Sequence, residues 1–110
     1  MSILETIQST VKDVVGRCYP MVAPEKPTVP YAIYFQVTNV PEVVMKNEVP
    51  IENSRIQVDV YCKTYAEAQT KADAIRTAMM GIGAVPVSAG DLYESEVKLY
   101  RVTQDFSIWF

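Results

Sequence analysis

The chain contains no histidine at all. Histidine is the side chain whose ordinary pKa lies nearest neutrality and which most often serves as a general base. Its absence removes Ser-His-Asp and Cys-His catalysis and HExxH metal sites together. Cysteine is almost as scarce: Cys18 and Cys62 are the only two, and they form no CxxC pair. Zinc therefore has no support, and two reduced, buried thiols are a better reading than a disulfide. No apolar run approaches the roughly 20 residues of a membrane-spanning helix. The N-terminus, MSILETIQST, has an acid at position 5 and no basic region, so it does not read as a signal peptide. Clustered basic residues are missing too. Ten Lys and Arg stand against 13 Asp and Glu, a net charge of -3, which argues against binding nucleic acid by phosphate neutralisation.

A length of 110 residues corresponds to one domain, 1–110, long enough for a core without disulfide or metal support. Residues 3–18 show helical spacing: Leu4, Ile7, Val11, Val14, Val15 and Cys18 fall on one stripe. Ser2 and Glu5 form a capping box at its start. Four of the seven prolines, Pro20, Pro24, Pro27 and Pro30, fall within residues 19–30, which implies an extended connector. Residues 31–38, YAIYFQVT, form a strand, and its apolar phase is read as Ile33, Phe35 and Val37. Residues 39–54 have no clean period between Pro41 and Pro50, and are expected to form a flexible arm or hairpin with a possible short strand.

The clearest local signal is RIQVDVYCKTYAEAQTKADAIR, residues 55–76. Ile56, Val58, Val60 and Cys62 alternate with Arg55, Gln57, Asp59 and Tyr61, the period of a half-buried strand. Thr64 and Glu67 then provide a T-x-x-E capping box for a helix over 65–80. That helix has the apolar stripe Ala68, Ala72, Ile75 and Met79, and Gly81 and Gly83 end it. A strand near 85–93, a polar turn over 94–98 and a last strand over 99–110 complete the chain. In the last strand Val102, Phe106 and Ile108 form the inner phase, with Gln104 as its polar intruder. The order α-β-(β)-β-α-β-β predicts an α+β domain, a mostly antiparallel or mixed sheet with two helices on one face.

A small enzyme working through carboxylates or Lys63 stays open as the weakest reading. Asp91, Glu94 and Glu96 surround a turn and read as a charged turn rather than an acid/base or Mg²⁺ site. The candidate working surface is the sheet face away from the helices, on which the alternation places Tyr34, Arg55, Asp59, Tyr61, Arg101, Asp105 and Trp109. Tyr, Trp and Arg are enriched in protein interfaces; the plainer alternative is an ordinary solvated face. Val43, Val44 and Met45 in the arm form a second interface candidate, suited to adding to a neighbour's sheet edge.

The segments YAIYFQV, residues 55–76 and DLYESEVKLYRVTQDFSIWF resemble the small tail completion proteins of long-tailed double-stranded-DNA bacteriophages and prophages, also called tail terminator or head–tail joining proteins. The resemblance covers most of the chain in the right order, and the arm at 39–54 is the part least like the family. It implies a subunit of a ring, hexameric in that family, on the end of the tail tube in the virion. The implied partners are further copies of the chain, the tube protein and a head connector or stopper protein, with DNA passing through the lumen and no membrane or cofactor involved. Assembly would occur in the host cytoplasm. The family's pattern falls on Arg55, Val58, Asp59, Tyr61, Tyr65, Ala68, Ala72, Ile75, Arg76, Asp105, Phe106 and Trp109, most of which read as fold residues. A small dimeric ligand-binding or regulatory α+β module is the competing reading.

Overall fold

The computed structural model describes residues 3–25, 27–42 and 51–109. Seven elements follow in the order α1 (Ile3–Val15), β1 (Cys18–Pro20), β2 (Tyr31–Glu42), β3 (Ile51–Cys62), α2 (Tyr65–Gly81), β4 (Val85–Glu94) and β5 (Leu99–Trp109). The five strands form one sheet in the order β1-β2-β3-β5-β4. β1 is parallel to β2 and every other pairing is antiparallel, so the sheet is mixed. Both helices cover one face, giving the expected α+β architecture.

The core forms where the strand and helix periods meet. Ile56, Val58, Val60 and Cys62 of β3 are all buried, as are Val102, Phe106 and Ile108 of β5. Over them lie Ala68, Ala72, Ile75 and Met79 of α2, with Ile7, Val11 and Val15 of α1 alongside. The two alanines let the α2 backbone approach the sheet closely. Gln104 does occupy the inner phase: its Nε2 donates to the Ala72 carbonyl at 3.0 Å, while its Oε1 has no partner among the described residues. The Lys71 ammonium donates to the Val14 carbonyl at 3.3 Å, a cation at the exposed carbonyl end of α1 that ties the two helices together.

Local start and stop signals are realised with one correction. Thr64 caps α2, accepting from the Glu67 amide at 3.2 Å. The other end is a Schellman closure: the Gly83 amide donates to the Met80 carbonyl and the Ala84 amide to the Met79 carbonyl, with Ala84 packed in the core beside Met79. The correction concerns α1, which ends at Val15 rather than at residue 18. Gly16 takes φ +99° and its amide donates to the Lys12 carbonyl at 2.7 Å, turning the chain out of the helix. Cys18 is therefore a strand residue, opening a β1 that the proline-rich connector had concealed. It is buried all the same, as is Cys62, and both thiols are free. Ser2 of the expected α1 capping box lies outside the described residues.

The hairpin strands run further than their sequence pattern implies. Residues 39–42 of β2 pair with 51–54 of β3, so of the two expectations for this segment, arm or hairpin, its ends form a hairpin ladder. Val43, Val44 and Met45 lie outside the described residues, as does most of the short strand considered between Pro41 and Pro50.

The two glycines at the end of α2 separate geometry from propensity. Gly83 holds φ +93° and Gly81 does not have positive φ, while neither has an atom within 4 Å of where a Cβ would stand. Gly83→Ala is expected to destabilise by about 1 kcal/mol, and Gly81→Ala to stabilise by about 0.5–1 kcal/mol. Urea unfolding of the two variants checks the opposite signs.

Candidate functional site

Side chains at directly paired positions of neighbouring strands share a face. Tyr61 pairs with Arg101, Asp59 with Thr103, Gln57 with Asp105, Arg55 with Ser107 and Asn53 with Trp109. The alternation read from the sequence is thus correct for β3 and β5: Arg55, Asp59, Tyr61, Arg101, Asp105 and Trp109 all lie on the face away from the helices.

Tyr34 does not. It pairs with Val58, between Ala32 opposite Val60 and Gln36 opposite Ile56, which puts it on the helix side, where it is buried. Burial raises its pKa from the ordinary 10.0, with Cys18 and Glu5 adding to the shift. The phase of β2 is therefore inverted relative to expectation. Ile33 and Phe35 belong to the outer face, opposite Asp59 and Gln57. Gln36 is the one polar residue of YAIYFQV and lies in the phase that faces the helices, opposite Ile56, so period two alone points to the wrong face.

An aromatic and ionic row crosses one end of this outer face. Tyr31 and Tyr61 stack with ring centroids 4.8 Å apart and planes inclined by 14°, and Tyr19 lies beyond Tyr31 at 6.4 Å. On the other side the Arg101 guanidinium sits 5.8 Å from the Tyr61 ring centroid. Arg101 Nη2 reaches Asp59 Oδ2 at 3.0 Å, and Nη1 reaches Glu94 Oε1 at 2.8 Å. Asp59 is nearly buried, so its charge needs these partners. It also accepts from the Thr103 hydroxyl and from Gln57 Nε2, the latter at 3.0 Å. Burial works to lower the Arg101 pKa, but Glu94, Asp59 and Tyr61 outweigh it and the net direction is upward. Farther along, Asp105 accepts from the Ser88 hydroxyl at 3.1 Å, while Arg55 and Trp109 stand exposed.

Tyr19, Tyr31 and Glu94 complete this row and were not identified from sequence. Tyr31 becomes a neighbour of Tyr61 only through the β2–β3 register, and Glu94 reaches Arg101 only because β4 pairs with β5. Burial raises the Tyr31 pKa, with Glu94 adding to it. Burial also raises that of Tyr61, against the opposing pull of Arg101.

A second feature lies at the start of α2, where Tyr65, Asp91, Leu92, Tyr93 and Tyr100 line a hollow of about 210 Å³. Tyr65 OH donates to Asp91 Oδ2 at 2.7 Å and Gln69 Nε2 to Asp91 Oδ1 at 2.8 Å. This carboxylate is thereby engaged in joining α2 to β4. Among the described residues no three His, Cys, Asp or Glu side chains converge as metal ligands.

Similarity to known proteins is found at the level of family and of fold. The family model for tail completion protein gp17 matches residues 6–110. A chain in the virion of a native gene transfer agent particle superposes with a TM-score of 0.60 at 14% identity, over 88% of this chain and 81% of that one. The gp17 protein of bacteriophage SPP1 superposes with a TM-score of 0.47 at 19% identity, over 96% of this chain and 82% of that one. No curated protein matches the chain significantly.

The outer-face row yields two expectations for stability. Arg101→Met leaves Asp59 without its cation and is expected to destabilise by about 2–3 kcal/mol in urea titrations, less than the full loss for a completely buried pair because Arg101 retains some solvent. Tyr31, Tyr34 and Tyr61 all have folded-state pKa values above the ordinary 10.0. For an acid shifted upward, the folded state favours the neutral form, so this stability is intact below pH 10 and declines as pH rises toward the folded value. Tyr61→Phe keeps a ring in the stack and removes one titrating group. Its stability should fall less steeply above pH 10 than that of the parent, as followed by thermal melts.

Proposed function

Since the chain belongs to the tail completion protein gp17 family, we propose that it is a structural subunit of a phage or prophage virion. In this reading it forms a ring on the end of the tail tube, ends tube polymerisation and joins the tail to the head connector. The observation that carries the reading is the family match over nearly the whole chain, residues 6–110. Its partners are further copies of itself, six in the ring, together with the tube protein and the head connector or stopper protein. Assembly takes place in the host cytoplasm and the mature location is the virion tail.

The chemistry of the surfaces supports recognition rather than catalysis. The outer sheet face offers Arg55, Tyr61, Arg101, Asp105 and Trp109 on a rigid ladder, the residue types enriched at interfaces. Val43, Val44 and Met45 of the arm add an apolar contribution to the same assembly. Of the carboxylates Asp91, Glu94 and Glu96, Asp91 is engaged by Tyr65 and Gln69 and Glu94 by Arg101. A net charge of -3 without a basic cluster suits a channel through which DNA slides without adhering. The alternative of a ligand-binding module gains little from the hollow by Tyr65, whose volume of about 210 Å³ is below the roughly 300–1,000 Å³ of small-molecule sites.

Electron microscopy of the purified protein, alone and mixed with tail tubes, tests the proposal. Rings or capped tubes are expected, and free tubes that keep growing in its presence would overturn it. The exposed Arg55 gives a matched control: Arg55→Glu should reduce capping while changing stability by no more than about 0.5 kcal/mol.

A further inference from the structure

The sheet has two open edges, and both carry exposed apolar side chains. On the β1–β2 edge Met21 and Val22 are 68% and 74% exposed and Val37 is 45% exposed. On the β4 edge the values are 54% for Val85 and 43% for Val87. The two patches lie at the same height along the strands. Pro20, which precedes Met21, aligns through Tyr34, Val58 and Gln104 with Ala89. Gln36, which precedes Val37, aligns through Ile56 and Phe106 with Pro86, which precedes Val87.

We propose that these patches are the two halves of one subunit contact, in which Met21, Val22 and Val37 of one copy pack against Val85 and Val87 of the next. The inference rests on the ring reading above and specifies which surfaces close the ring. Two different patches that satisfy one another make a head-to-tail contact, the kind that generates rings. A β4-to-β4 dimer would instead leave Met21 and Val22 uncovered. Strand direction fits as well: β4 runs opposite to β1, so side-by-side repetition of the subunit places antiparallel strands next to one another.

The contact is made by side chains rather than by a continuous ladder. Val37 and Val87 are each the extra residue where the register shifts, and such bulges interrupt pairing at an edge. Pro86 removes a further donor.

Disulfide trapping with two variants that each add one cysteine, Val22→Cys and Val87→Cys, tests the contact. The native thiols are suited to remain silent: both are buried, and burial pushes Cys18 up to about 12 and Cys62, with Glu67 adding, up to about 11. Mixed under oxidation at ring-forming concentration or on tube tips, the variants should give a cross-link joining one of each, well in excess of either homodimer. Val87→Asp should raise the concentration needed for assembly by about tenfold or more, since it buries an unpaired carboxylate, with its monomer melting as the parent does. Homodimers in place of the mixed product, or rings visible by electron microscopy without any cross-link, would overturn this contact and leave the ring reading standing. A protein that neither forms rings nor caps tubes would overturn both.

Discussion

The structure depends on burying one phase of β3. Ile56, Val58, Val60 and Cys62 lie at the centre of the sheet, with β2 on one side, β5 on the other and α2 above. A central strand has no free edge, so its backbone is satisfied by the ladder and its inner side chains gain little from any other register. A slip of one residue would exchange this apolar set for Arg55, Gln57, Asp59 and Tyr61. That penalty sets the register of β3 and, through it, the position of every outer-face residue. The partly buried ionic row on the far side follows: Asp59 is enclosed by neighbouring strands and must be satisfied there, which Arg101, Thr103 and Gln57 do.

Much of this was legible in the chain. The strand at β3, the Thr64 cap, the α2 stripe and the inner phase of β5 each rest on an unambiguous local pattern, and each is realised. The failures have equally local causes. The first half of β2 carries apolar or aromatic residues on both faces, with Gln36 on the inner one, so its phase is decided by which side α1 covers, a tertiary fact. β1 is three residues long and embedded among prolines, too short for any periodicity. α1 stops short of its apolar stripe because Gly16 takes a positive φ, which the spacing of apolar residues does not reveal. The pairing of Glu94 with Arg101 depends on a hairpin register that residue types alone do not specify.

The resulting molecule separates its tasks by face. One face of the sheet is committed to the helices and holds nearly all the aliphatic core. The other presents stacked tyrosines and paired charges held by cross-strand contacts, a surface with little conformational freedom to lose on docking. The open edges carry apolar groups interrupted by bulges and Pro86. In the proposed role as a virion subunit, the uncovered sheet face and its dissimilar edges would serve as distinct contact surfaces on a small body.

Gln104 gives the arrangement one further property. A smooth apolar interface between a helix and a sheet would tolerate small axial slides of α2, since alanine and valine surfaces offer little directional resistance. The amide of Gln104 reaches a single carbonyl, that of Ala72, halfway along the helix. A shift by one residue would strand the amide N–H in an apolar layer, at a penalty of about 1–3 kcal/mol. The bond therefore acts as a dowel, holding α2 at one height against β5. With α2 so indexed, Tyr65 meets Asp91 at one end, and the Met79–Ala84 closure delivers the chain to the start of β4 at the other.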